Sequence, residues 1–210
     1  MPSGPHKLTR EQVADSQRSR ILWAALDVVG RQGYPNTSIG DIAAQARVSR
    51  TAIYALFADK EQCFLAACEE FGNDVLANVV EIAVAAPTPL AALSGVTDML
   101  IELMRREPVA ARAWLLELYA AGSAGLELRL VFVRKLETQF DALAAHVRRL
   151  DPSLPTLPAF AGRGVAAAMF ELWFQALDSQ DDKTLQELRA TAVHVWLVGL
   201  TGQEHISRLL

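Results

Sequence analysis

The chain has 210 residues, of which 51% are hydrophobic and 21% charged, with a net charge of −4. That is enough chain for one large domain, or for one small and one medium domain, and enough apolar material to fill a core. Ala and Leu dominate, β-branched runs are short and almost no stretch alternates with period two, which makes an all-α fold the default reading.

The charge is unevenly spread. Residues 1–60 carry eight Lys/Arg against five Asp/Glu, and residues 61–210 carry twelve against nineteen. A basic end on an acidic remainder is the footprint of a small nucleic-acid-reading head on a larger body. No run of about eighteen uncharged apolar residues occurs and the first twenty residues are polar, so neither a membrane span nor a signal peptide is expected, and a cytoplasmic location follows. Cys63 and Cys68 fall on one predicted helix, five residues apart. That spacing suits neither a disulfide nor, with two thiols alone, a structural zinc site, and both read as small buried hydrophobes, with a redox sensor as the lesser alternative.

Taken in order, residues 1–17 read as a mostly disordered, weakly basic arm carrying His6, Lys7 and Arg10. The first helix is predicted over about 16–31, from Ile21, Leu22, Ala25, Leu26, Val28 and Val29, and ends at Gly33. Tyr34 and Pro35 form a turn, and Thr37 or Ser38 caps the next helix, with Asp41 in its first turn. That second helix shows Ile39, Ile42, Ala43 and Ala46 at helical spacing. The third starts after Val48, with Ser49 as N-cap and Ala52, Ile53, Leu56 and Phe57 as its apolar face. About three residues separate the two, so they cross steeply, as in a helix-turn-helix whose second helix enters the DNA major groove.

Ile42-Ala43, Val48-Ser49 and Tyr54-x-x-Phe57-x-x-Lys60-Glu61 resemble the N-terminal signature of the TetR-type transcriptional regulators, over about residues 18–65. Two positions depart from that pattern. Arg47 stands in the turn where the family often has Gly, and Thr51-Ala52 replaces the common Gly-Thr.

The polar groups of this head have the chemistry that DNA contact needs. Arg50 can donate two bonds to guanine or pair with a phosphate, and Thr51 can meet a base edge or a thymine methyl. Thr37, Ser38 and Ser49 offer hydroxyls, Tyr54 a phenol one turn further on, and Lys60 a cation at the start of the fourth helix. The expected DNA-contacting set is therefore Thr37, Ser38, Ser49, Arg50, Thr51, Tyr54 and Lys60. The expected partner is double-stranded DNA, in the form of a palindromic operator.

Asp59 caps a long fourth helix, about 60–84, which reads as a lever between head and body. Further helices are predicted over about 89–106, from Pro108 to about Gly122, and over 124–150. A loop with three prolines follows at 151–158. Two more helices at about 159–177 and 183–202 bring the total to about nine. The domain boundary is placed at residue 60, with the arm and helix-turn-helix in 1–60 and an effector-binding and dimerisation domain in 61–210.

The last two helices are apolar on more than one face and so must be buried from more than one side. In a two-fold dimer they would form a four-helix interface through Val165, Met169, Leu172, Trp173, Ala192, Val195, Trp196 and Gly199. The competing reading is an internal core. A dimer also supplies the two heads that a palindrome needs, and the resemblance implies the same arrangement.

No catalytic constellation is present, no cofactor or metal site is expected, and His6, His146, His194 and His205 are scattered. Gly162-Arg-Gly164-Val-Ala-Ala167 fits a dinucleotide-binding pattern on paper, but follows a proline-rich loop rather than a strand, so close helix packing explains its glycines better. The resemblance implies an effector cavity among the middle helices, with candidate lining residues Met104, Trp114, Glu117, Tyr119, Phe140, His146 and Trp173. Glu117, on an otherwise apolar helix, needs a partner if buried: Arg112, a neighbouring helix or a ligand. The apolar bias favours a hydrophobic effector.

The leading expectation is a dimeric repressor released by a small hydrophobic ligand. The same head would also serve an activator or a ligand-independent DNA binder. A binding protein or enzyme with a vestigial helix-turn-helix is opposed by the basic head and the missing catalytic set.

Overall fold

The computed structural model describes residues 10–178 and 181–201, which form nine helices and no strand. His6, Lys7, His205 and the expected end of the last helix at Gly202 lie outside the described residues. We number the helices α1 (Arg10–Gln32), α2 (Ile39–Ala46), α3 (Arg50–Tyr54), α4 (Lys60–Ala85), α5 (Pro89–Arg106), α6 (residues 108–120), α7 (Gly122–Leu150), α8 (Ala161–Asp178) and α9 (Asp182–Thr201). None of them is long and apolar enough to cross a membrane.

The first helix corrects the expected arm. Residues 10–17 are helical and extend α1 well before Ser16. Nothing in that stretch breaks a helix, and the prolines that discouraged helix there stand earlier, at Pro2 and Pro5. At its other end α1 stops on Gly33, whose φ of +84° suits glycine and whose N–H donates to the Val29 carbonyl at 2.8 Å.

The head folds on α1. Ile21, Ala25 and Val29 of α1 pack with Ile42 of α2 and Ile53 of α3, all essentially inaccessible to solvent. Each short helix opens on a side-chain cap. Ser38 and Asp41 form a reciprocal capping box, Ser49 Oγ accepts from the Ala52 N–H, and Asp59 accepts from the Gln62 N–H at the start of α4. Arg47 adopts the left-handed conformation (φ 55°, ψ 48°) that the α2–α3 turn requires, with the strain this implies for a residue bearing a Cβ.

The body is assembled from longer helices around the same continuous core. α4 and α5 pack together, α8 crosses α7, and α9 lies over α5 and α8. Gly199 lets α9 approach α8, since a Cβ there would come within 2.5 Å of Val165 Cγ2. A Cβ at Gly162 would likewise come within 2.8 Å of Asp141 Oδ1 on α7, so this glycine serves close helix packing. One irregularity stands out. Within α6, residues Ala113–Glu117 form a wide π-turn, a feature that often marks functional positions.

Candidate nucleic-acid interface and internal cavity

The α3 surface holds the groups expected to meet DNA, but they are not equally presented. Thr51 and Tyr54 are exposed, Tyr54 at 56%, and project from α3 without a protein partner among the described residues. Ser49 is exposed while its Oγ caps α3. Ser38 is exposed but its hydroxyl donates to Asp41 at 2.6 Å. Those bonds from Ser38 hold the Asp41 carboxyl below the usual carboxylate range.

Arg50 lies back across α2. A Cβ on Gly40 would come within 2.5 Å of its Nη2, so the guanidinium rests on the bare glycine backbone beside Asp41. Among the described residues it makes no ion pair, which leaves its donors available at the edge of the head. Arg47 is likewise exposed and carries a second uncommitted cation in the turn immediately before α3. In the sequence Arg47 reads only as a departure from the family's Gly in the turn, and it is absent from the expected DNA-contacting set. Its charge in a turn flanking the recognition helix was the available signal.

Two expected residues sit differently. Thr37 is buried, with its hydroxyl donating to the Gly33 carbonyl at 2.9 Å, because it closes the α1–α2 turn from inside. Lys60 is drawn under the same turn, where its Nζ donates to the Tyr34 carbonyl at 2.8 Å and lies 4.1 Å from the Tyr34 ring centroid. Both therefore brace Tyr34 and its turn, and neither side chain is directed outward.

Tyr34 is also where the head joins the body. Its backbone N–H donates to Glu117 Oε2 on α6 at 2.9 Å, and its ring packs on Phe64 of α4 at 5.2 Å between centroids. Glu117 thus finds its partner in the head, and not in Arg112 or the cavity. Burial raises the Tyr34 phenol above its ordinary range.

Three residues before Glu117, Trp114 is turned away from the head and lines an internal cavity of about 60 Å³. In a regular helix residues three apart share a face. The wider π-turn gives each residue a smaller angular step, so Trp114 and Glu117 diverge, one toward the body and one toward the head. Helices α4 to α9 all contribute to the wall, and Gln139 is its one side chain with a polar amide. Of the expected lining residues, Met104, Trp114 and Trp173 are in the wall. Phe140 is buried just behind it, stacked on the wall residue Trp196 with centroids 5.9 Å apart. Tyr119 and His146 are on the outer surface, and Glu117 points to the head.

An aromatic chain runs from head to cavity. Trp23 of α1 meets Phe71 of α4 at 6.1 Å, Phe71 meets Trp114 at 5.9 Å, and Trp114 meets Phe132 at 5.6 Å and Phe170 at 5.8 Å. Cys63 and Cys68 are buried alongside. Burial pushes the Cys63 thiol up to about 12 and the Cys68 thiol well above its ordinary value.

The expected dimer residues divide into two groups. Met169, Trp173 and Trp196 line the internal cavity and Ala192 is fully buried, so these four are directed into the subunit's own core, which corrects their expected role. The reason is that α8 and α9 each bury one face against the subunit's other helices, and periodicity alone does not say which apolar face is internal. Val165, Val195 and Gly199 instead line a shallow outer groove with Gly164, His194 and Val198. Leu172 is half-buried, and Phe174 on the same helix is 42% exposed.

Comparisons with known proteins agree with this geometry. Residues 21–67 match the profile described as bacterial regulatory proteins, tetR family. The transcriptional regulator BetI of Agrobacterium fabrum is 26% identical over 162 residues, 76% of each chain. Among solved structures, the fatty acid degradation regulator FadR of Bacillus halodurans superposes with a TM-score of 0.72 at 20% identity, covering 98% of this chain and 100% of that one. Bacillus subtilis FadR in complex with stearoyl-CoA superposes with a TM-score of 0.67 at 19% identity, covering 87% and 97%.

Proposed function

We propose that this chain, a member of the TetR family of bacterial transcriptional regulators with a helix-turn-helix DNA-binding domain, is a homodimeric repressor that a small apolar ligand releases from a palindromic operator. In this reading residues 1–60 read DNA and residues 61–210 bind the effector and the second subunit. The observation that carries it is the Tyr34–Glu117 hydrogen bond, because α6 presents Glu117 to the head and Trp114 to the cavity across one π-turn. A ligand that displaces Trp114 would move Glu117 and shift the turn that supports α2 and α3. It would act only through its different affinities for the two arrangements.

Arg50, Thr51 and Tyr54 are assigned to the major groove, and Ser49 and Arg47 to flanking phosphates. Thr37 and Lys60 are assigned to holding the Tyr34 turn. The second subunit is assigned to the outer face of α8 and α9, around Val165, Val195, Val198 and Phe174. A dimer of this kind holds its two recognition helices about one DNA turn apart, roughly 34–36 Å. The apolar cavity wall, and the stearoyl-CoA held by the Bacillus subtilis neighbour of the same fold, support a hydrophobic effector.

The test is a gel-shift series on duplexes tiled across the DNA beside the protein's own coding region, with salt varied. One duplex should bind specifically, with affinity falling linearly in log salt as phosphate contacts are lost. Arg50→Ala should weaken that binding by about 1–3 kcal/mol if the contact is bidentate to a base. Phe174→Glu should convert dimers to monomers in sedimentation and lower operator affinity. Absence of any sequence-preferring, salt-dependent duplex binding overturns the reading.

A further inference from the structure

We propose that the cavity takes an uncharged, largely apolar molecule that offers hydrogen-bond acceptor oxygens, such as ketone, ester or amide carbonyls, to the indole N–H groups of Trp114 and Trp196. This rests on the reading of the cavity as the effector site, and it names the chemistry of what enters.

Trp114 and Trp196 are both more than nine-tenths buried, and both belong to the cavity wall. Neither indole nitrogen has a hydrogen-bond partner among the described residues. The Trp114 nitrogen is further located by Gly72, another wall residue, because a Cβ there would come within 2.8 Å of it. Indole N–H is a donor and nothing else. Buried Trp N–H groups usually find an acceptor, and leaving one unmet costs free energy. Two such donors, in a wall whose other polar side-chain groups are the Gln139 amide and the Trp173 indole, favour acceptors in the occupant.

The wall also says what the occupant lacks. It contains no Lys, Arg, His, Asp or Glu, so a carboxylate or ammonium entering it would be stripped of water with no opposite charge to meet. Arg129 stacks on the rings of Phe170 and Tyr119, at 4.5 and 5.2 Å, and is not part of the wall. Apart from the uncharged Gln139 amide, the remaining wall residues are aliphatic and aromatic, with Met104 and Met169 as unbranched side chains that can re-pack around a body larger than the resting volume.

The test uses three near-isosteric probes on the full-length protein: 2-acetylnaphthalene, 2-ethylnaphthalene and 2-naphthoate. Affinities are measured by calorimetry for the wild type, Trp114→Phe and Trp196→Phe. One hydrogen bond is worth about two- to tenfold in affinity. The ratio of acetyl to ethyl affinity should therefore fall by about that factor in each variant, a comparison that cancels the change in cavity size. In ¹H–¹⁵N spectra of the wild type, acetylnaphthalene should move the Trp114 and Trp196 indole N–H resonances downfield and ethylnaphthalene should not. This second readout needs no ring replacement, so it stands if a variant fails to fold. An unchanged ratio in both variants, or naphthoate binding more tightly than the ketone, overturns the proposal while leaving the cavity as an effector site. Failure of both uncharged probes to bind overturns the effector-site reading itself, and this proposal with it.

Discussion

The head and the body of this molecule are specified in different ways. In the head, each short helix carries its own start signal: Ser38 with Asp41, then Ser49, then Asp59 for the helix that leaves it. In the body, α6 and α7 open with no side-chain cap, α6 contains a π-turn, and two indole donors go unmatched. Local rules are satisfied where the protein must present a fixed surface to DNA. They are relaxed at α6, α7 and the cavity wall, although α5 keeps a Thr88 cap, and departures of this kind gather at functional positions.

The same substitution in both regions breaks or sharpens that contrast most strongly. A Cβ at Gly72 would come within 2.4 Å of the Phe132 ring and 2.8 Å of the Trp114 nitrogen, both held by packing. Gly72→Ala should therefore destabilise by about 1–3 kcal/mol through overpacking and reduce binding of any cavity ligand. A Cβ at Gly40 would meet the far end of Arg50, 2.5 Å from Nη2, which can swing aside. Gly40→Ala should leave stability unchanged or raise it by up to about 1 kcal/mol, the ordinary helix preference for Ala, while altering operator affinity through Arg50. Equal losses of stability in thermal melts of the two variants would remove the distinction between a yielding and a packed neighbour.

The junction gives the next effect. Glu117→Ala leaves the Tyr34 N–H without its acceptor in a part-buried site, at a cost of about 1–2 kcal/mol. For a chain of this size that lowers the melting temperature by roughly 2–8 °C. Glu117→Gln keeps an acceptor oxygen and should recover most of the loss. If coupling passes through this bond, the alanine variant should still bind operator and still bind ligand, with ligand releasing DNA less effectively. Full ligand-induced release in Glu117→Ala would confine the bond to a structural role.

The caps of the head come third. Ser49→Ala should cost about 1 kcal/mol, and its effect should fall on α3 and on DNA binding rather than on ligand affinity. The Ser38–Asp41 box adds a pH dependence. Asp41 has a depressed carboxyl pKa in the folded protein, so its contribution is present above the unfolded carboxylate range and is lost as pH falls through the lowered folded value. Asp41→Asn should flatten the acid limb of a plot of stability against pH. An acid limb identical to wild type would show that the box does not contribute to it.

These differences also explain what could be read from the residues in advance. Helix order, a cap at Thr37 or Ser38, the caps at Ser49 and Asp59, and the boundaries near Pro89 and Pro108 were legible because each is a local event. Met104, Trp114 and Trp173 could be proposed for the cavity because the resemblance implied one among the middle helices. Three things were not legible. Periodicity finds apolar faces but does not assign them, so Met169, Trp173, Ala192 and Trp196 read as an interface although they face inward. Glu117 needed a partner, but one 83 positions away on another helix leaves no mark in spacing. The π-turn at Ala113–Glu117 has no residue signature, and without it Trp114 and Glu117 read as one face.

Arg47 is the exception within the head, and it yields the smallest prediction. It is the one described non-glycine residue with positive φ, in a region where every other local signal agrees with the fold. Left-handed backbone costs a residue with a Cβ roughly 1–2 kcal/mol, which glycine avoids. Glycine also gives the unfolded chain more freedom to lose, which offsets part of the gain. Arg47→Gly should therefore stabilise by only about 0.5 kcal/mol, visible as a rise of roughly 1–2 °C in melting temperature. The side chain it removes is an exposed cation beside α3. If Arg47 meets a phosphate, the more stable variant should bind operator less tightly, by a similar factor on every duplex, with a salt slope shallower by about one. A variant that gains stability with unchanged affinity and slope would mean that the strained turn has no role at the DNA, and that the residue is tolerated there without being used.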